Sequence, residues 1–203
     1  MLAVVEIETP HGRARVHLHT VGSARAALVL GHGAGGGVEA PDLVAASDAA
    51  RGEHVTVALV EQPYRVAGRR SPAPARQLDT AWTAVVEALR GEVLHELPLV
   101  VGGRSLGARV ACRTAEALDA VAVLCLAFPL EPPARAGKPR QSRLVELDAV
   151  KVPTLVVQGE RDPFGIPPPG PTREVVTVPG DHGLKTDLAG VASAVRRWLS
   201  TLS

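Results

Sequence analysis

A serine framed by glycines, Gly103-Arg104-Ser105-Leu106-Gly107, interrupts the chain directly after an apolar run. Further on, Gly159-Glu160-Arg161-Asp162-Pro163 and Gly180-Asp181-His182-Gly183 set a carboxylate and an imidazole on two more turns. These residue types, in this order, suit nucleophilic attack on a carbonyl carbon. A serine hydroxyl at its ordinary pKa is a poor nucleophile and needs a base. His182 can take its proton and later hand it to a leaving group. Asp162 would hold the imidazole in one tautomer and stabilise the imidazolium. Taken singly, each stretch reads as an ordinary turn or a surface residue. Their joint order, each at the end of a strand, carries the reading.

The serine sits where a strand meets a helix through a sharp turn, the context that a Gly-x-Ser-x-Gly nucleophile requires. Such a turn strains the serine backbone, and a side chain at Gly103 or Gly107 would collide with the neighbouring strand or helix. The hydroxyl would then lie over a helix N-terminus, whose free N–H groups favour negative charge. A tetrahedral intermediate needs two such donors. One expected donor is the Leu106 N–H. The other is the Ala34 N–H, with Gly33 as the near alternative, supplied by the loop Gly31-His32-Gly33-Ala34. His32 reads as an organiser of that loop rather than a base.

The same loop matches a dinucleotide fingerprint, Gly31-x-Gly33-x-x-Gly36, with Asp48 and Glu53 at about the distance a ribose contact needs. Two features oppose this. The next helix does not open until Pro41, and a hairpin precedes the strand. No cofactor is expected.

The elements that must position these residues follow from periodicity. Residues 2–8 and 14–19 alternate around Thr9-Pro10-His11-Gly12 and read as a hairpin. His17 and His19 share a face with Arg15, which reads as the solvated side of an edge strand rather than a metal site. Residues 26–30, 54–60, 97–102, 120–127, 154–158 and 173–178 are apolar on both faces or nearly so, hence strands of a mostly parallel sheet. Helices are expected over 41–51, 77–95, 108–118 and 186–202, with a short one over 144–150. Leu78, Trp82, Val85, Val86 and Leu89 mark the buried face of the second. Residues 62–76 and 129–143 read as loops. Helices would cover both faces of the sheet, and its working loops would lie at the carboxyl ends of the strands. Residues 1–203 are expected to form one domain.

Composition narrows the classes. The 203 residues carry Lys+Arg 22 against Asp+Glu 21, which supplies no basic face for nucleic acid. Nearly all the positive charge is arginine, the lysines being Lys138, Lys151 and Lys185, and this reads as a coding bias. Cys112 and Cys125 read as small hydrophobes in the core. The N-terminal stretch has no basic region and too short an apolar run for a signal peptide, and no stretch approaches a membrane span. A soluble cytoplasmic protein with a small-molecule substrate, and neither nucleic acid nor membrane as partner, is expected. Aromatics at 2% leave little with which to grip a long acyl chain.

Taken together, Gly31-His32-Gly33-Ala34-Gly35-Gly36, Gly102 to Gly107, Ala127-Phe128-Pro129-Leu130, Val152 to Gly159 with Asp162-Pro163-Phe164-Gly165, and Gly180-Asp181-His182 resemble a small α/β-hydrolase family. It lies near the dienelactone hydrolases, and its relatives include a testis-expressed protein and a subunit of a chromatin-bound acetyltransferase complex. The resemblance runs from about Ala26 to the end. It implies an α/β-hydrolase fold without a lid domain, a triad of Ser105, Asp162 and His182, and oxyanion donors at Ala34 and Leu106. The chain departs from dienelactone hydrolases in having serine, not cysteine, at position 105. It departs again at Ile166-Pro167-Pro168-Pro169-Gly170-Pro171, where proline density replaces a helix with a stiff tether. Two functions remain open at this point. One is hydrolysis of a small ester or thioester through an acyl-serine; the other is a non-catalytic binding or scaffold role on the same fold.

Overall fold

A computed structural model of the chain describes residues 1–132 and 141–202. The alternating N-terminal segments form a hairpin, β1 (Leu2–Thr9) and β2 (Gly12–His19), turned at Gly12 with φ 103°. The apolar runs become β3 (Ala26–Gly31), β4 (Val55–Glu61), β5 (Leu99–Arg104), β6 (Ala122–Leu126), β7 (Thr154–Gly159) and β8 (Arg173–Val178). All eight strands join one sheet in the order β1-β2-β4-β3-β5-β6-β7-β8. The hairpin is antiparallel and β2 joins β4 antiparallel; from β4 onward every pair is parallel.

Successive residues of a strand point to opposite faces, so a run apolar throughout serves two cores. Ala27 and Val29 of β3, Val101 of β5, and Val123 and Cys125 of β6 face one layer; Leu28, Leu30, Val100, Leu124 and Leu126 face the other. The first layer is closed by α3 (Ala75–Gly91) and α4 (Leu106–Thr114), with Trp82 wholly enclosed. The second is closed by α1 (Pro41–Gly52) and α6 (Leu188–Leu199), which pack on each other as well as on the sheet. The result is one sheet of eight mostly parallel strands led by an antiparallel hairpin, with helices on both faces, as the family resemblance implies.

Some boundaries differ from the sequence expectation. Residues 62–76 contain a one-turn helix, α2 (Pro63–Val66), opened by a proline whose missing N–H is no loss at that position. The helix expected over 77–95 ends at Gly91, so His95 lies beyond it. The elbow helix starts at Leu106 rather than Ala108. The short helix α5 (Leu144–Asp148) forms, while much of the loop expected over 129–143 lies outside the described residues. No helix between β7 and β8 spans the proline segment.

Strand order creates the site. The chain passes from β3 to β4 on one side, then reverses and lays β5 on the other side of β3. Where a doubly wound sheet reverses in this way, the loops leaving the two central strands splay apart. Here they are the Gly31–Ala34 loop and the Ser105 turn.

Candidate active site

Ser105 takes φ 52° and ψ −103°, outside the regions that L-residues favour and worth about 1–3 kcal/mol of strain. The strain is held by its surroundings. Its N–H donates to the Leu126 carbonyl at 2.9 Å, and its own carbonyl accepts from the Arg109 N–H at 3.3 Å. Three backbones cross beneath it. A Cβ on Gly103 would stand 2.5 Å from the Gly31 oxygen, and one on Gly107 would overlap the same carbonyl. One on Gly31 would stand 3.3 Å from the Gly107 Cα and from the Trp82 ring. Gly31, Gly103 and Gly107 therefore let the elbow sit close on β3, and Leu106 opens α4 with its N–H beyond the reach of any carbonyl inside that helix.

The Ser105 hydroxyl donates to His182 Nε2 at 2.9 Å, and His182 Nδ1–H donates to Asp162 Oδ2 at 2.8 Å. Asp162 is buried, and its carboxylate collects further donors: the Phe164 N–H on Oδ1 at 2.8 Å and Gln158 Nε2 on Oδ2 at 2.7 Å. An acceptor-only group so placed makes Nδ1 the protonated nitrogen, leaving Nε2 free to accept from the serine. The Phe164 ring packs on the His182 ring with centroids 4.4 Å apart. The proline segment does not displace the acid. Gln158, fully buried at the end of β7, also donates to the carbonyls of Phe128 at 3.1 Å and Gly165 at 2.9 Å, tying the Asp162 turn to the end of β6.

The loop after β3 is organised by His32. Its Nδ1–H donates to the Gly33 carbonyl at 2.8 Å and its Nε2 accepts the Gln62 N–H at 3.1 Å. Burial holds the His32 pKa below its ordinary value, and the two hydrogen bonds specify one neutral tautomer. The Tyr64 hydroxyl donates to the Ala34 carbonyl at 3.1 Å, and burial pushes its pKa up to about 12. The loop is thus moored to α2 and the end of β4. Gly33 is buried and Ala34 partly exposed beside the elbow. In contrast to the dinucleotide pattern, α1 opens only at Pro41, well after Gly36. Glu53 precedes β4, at the opposite end of the sheet from the loop.

Three residues at the site were not singled out for it from sequence alone. Gln158 is the one signal of its kind, an amide closing an otherwise apolar strand. Asp42 is fully buried in the first turn of α1. Arg104 lies against Asp42, with Nε 2.8 Å from Oδ2. Elsewhere, Cys112 and Cys125 are free, buried thiols with sulfurs 3.6 Å apart. Among the described residues, no three His, Cys, Asp or Glu side chains gather as a metal site would require, and no helix is long and apolar enough to cross a membrane. A concavity of about 630 Å³ lies between the hairpin, α2 and α3, and is not lined by Ser105.

Solved structures share this arrangement of strands and helices. An α/β serine hydrolase without a lid from Xanthomonas campestris superposes with a TM-score of 0.77 at 18% identity, covering 98% of this chain and 94% of that one. Est1E from Butyrivibrio proteoclasticus gives 0.77 at 17% identity, with 97% of each chain covered. Dienelactone hydrolase from Anabaena variabilis gives 0.77 at 16%, covering 98% of this chain and 97% of that one. No curated protein matches the sequence significantly. The alpha/beta hydrolase domain family matches residues 24–186, from just before β3 to just past the His182 turn. That span holds the Gly31–Ala34 loop, the Ser105 turn, Asp162 and His182 in order, and the chain belongs to this family.

Proposed function

We propose that the chain is a serine hydrolase acting on a small ester or thioester. The observation that carries this reading is the unbroken relay from Ser105 Oγ to His182 Nε2 at 2.9 Å and from Nδ1 to Asp162 at 2.8 Å. Ser105 Oγ attacks the substrate carbonyl carbon while its proton passes to His182 Nε2. Asp162 stabilises the imidazolium that forms. The tetrahedral oxyanion is received by the N–H groups of Leu106 and Ala34, each worth about 10²–10³ in rate in comparable sites. Collapse breaks the bond to the alkoxide or thiolate, which leaves with the proton from Nε2. Water, deprotonated by the same nitrogen, then releases the acid and restores the serine. The family resemblance supports placement near the dienelactone-hydrolase side, and the substrate is a small molecule.

The test is turnover of p-nitrophenyl acetate with Ser105→Ala as control, joined to labelling by a fluorophosphonate probe. Loss of a triad serine costs roughly 10⁶ in turnover elsewhere, so the variant should be inactive and unlabelled. Equal rates for the two proteins, with no label on Ser105, would leave the scaffold role as the function of the fold.

A further inference from the structure

Arg104 fills the variable position of the Gly-x-Ser-x-Gly turn, yet its side chain is only 18% exposed, and two of its three nitrogens meet a partner. Nε lies 2.8 Å from Oδ2 of the wholly enclosed Asp42, whose Oδ1 accepts the Leu43 N–H at 3.0 Å. Nη2 donates to the His182 carbonyl at 2.9 Å. Nη1 passes beneath the donor loop, where a Cβ on Gly33 would stand 2.8 Å from it. One guanidinium therefore touches the first turn of α1, the donor loop and the histidine turn, while its backbone is bonded to the nucleophile.

The histidine turn is tied on either side of His182, by the Arg161 N–H to the Gly180 carbonyl at 2.9 Å and by the Leu184 N–H to the Asp181 carbonyl at 3.1 Å, and Arg104 adds the bond to the His182 carbonyl itself. Asp162 fixes the imidazole ring through Nδ1 but does not fix the backbone that carries it. That backbone is a glycine-rich stretch between β8 and α6, turned at Gly180 with φ 124°. A bond from the residue next to Ser105 to the carbonyl of His182 makes the two backbones move together. We infer that Arg104 is a positioning residue for His182, itself anchored against the buried Asp42 carboxylate. The inference rests on the serine-hydrolase reading. The charge of Arg104 is matched by Asp42 and is committed to this contact rather than to drawing in an anionic substrate. Only an arginine suits the place, since its fork reaches an acid and a carbonyl at once, whereas one lysine ammonium can satisfy the acid alone.

Two variants separate positioning from folding. Arg104→Lys keeps a cation for Asp42 and loses the His182 contact. Asp42→Leu combined with Arg104→Met removes both buried charges, a replacement that proteins tolerate far better than the loss of one partner. Steady-state kinetics on p-nitrophenyl acetate and thermal melts are measured for both, beside wild type and Ser105→Ala. Both variants should melt within a few degrees of wild type, and both should lose about 10²-fold in kcat with KM little changed, as expected for a displaced catalytic base. Wild-type kcat in either variant, or a raised KM with kcat intact, overturns the positioning role while leaving the hydrolase reading standing. A wild-type rate no higher than that of Ser105→Ala overturns the hydrolase reading and the positioning role with it.

Discussion

Gln158 shows how one side chain can settle the geometry of another. Its Nε2 stands among three acceptors, the Phe128 and Gly165 carbonyls and Asp162 Oδ2, at 3.1, 2.9 and 2.7 Å. Gln158→Leu would fill similar volume and leave the Gly165 carbonyl without its donor, while Asp162 Oδ2 keeps His182 Nδ1–H and the Phe128 carbonyl keeps the Leu130 N–H. An unmet buried group costs about 1–3 kcal/mol. The expected result is a lower melting temperature and a kcat reduced more than KM, read by thermal melts and ester kinetics. His32 carries a prediction about pH. The folded imidazole resists protonation because of burial, and a proton on Nε2 would face the Gln62 N–H, a donor against a donor. The unfolded chain takes that proton near pH 6.5. Below that value the unfolded state binds more protons than the folded one, so stability falls as pH drops from about 6.5 toward the depressed folded value. Urea unfolding at stepped pH should show this decline, and His32→Gln should lose its share of it.

At the level of elements, two arginines of α4 brace that helix against α3 and α5. Arg109 of α4 grips Glu146 of α5 through Nε at 2.8 Å and Nη2 at 2.6 Å. Arg113, one turn on, grips Asp79 of α3 at 2.9 and 2.6 Å and also reaches Glu146 at 3.4 Å. These side chains are mostly shielded, at 15–25% exposure, and the two-pronged geometry suits guanidinium and carboxylate. Glu146→Ala strips both arginines of a partner and should cost about 1–3 kcal/mol in urea unfolding. Wild type should approach the variant in 1 M salt only in part, since shielded pairs are screened less than surface ones. The helices and strands themselves were legible in the chain because periodicity reports them: Leu78, Trp82, Val85, Val86 and Leu89 all face the core as their spacing says. The one-turn α2 was not legible, being shorter than any period can reveal.

At the level of the whole molecule, Ser105, Asp162 and His182 could be picked out from their joint order, because each stands on a local turn after its own strand. The partnership of Arg104 with Asp42 could not. It depends on which strand end neighbours which helix start, a property of sheet order that no window of sequence contains. The secure placement of Asp162 past the proline segment was likewise hidden, since it comes from Gln158 reaching across to β6. Topology also bears on substrate choice. The large concavity lies at the hairpin, away from the serine. On the proposed activity, and with aromatics at only 2% to grip a long chain, kcat/KM for p-nitrophenyl esters should fall from acetate to palmitate, and a rise along that series would point to an acyl-binding groove. Finally, the guanidinium that lies against the wholly enclosed Asp42 makes two distant positions a single unit of inheritance. An arginine at 104 supplies the charge that a buried acid at 42 needs. Among homologues these columns should therefore change together or not at all, and a library that randomises position 104 alone should return arginine.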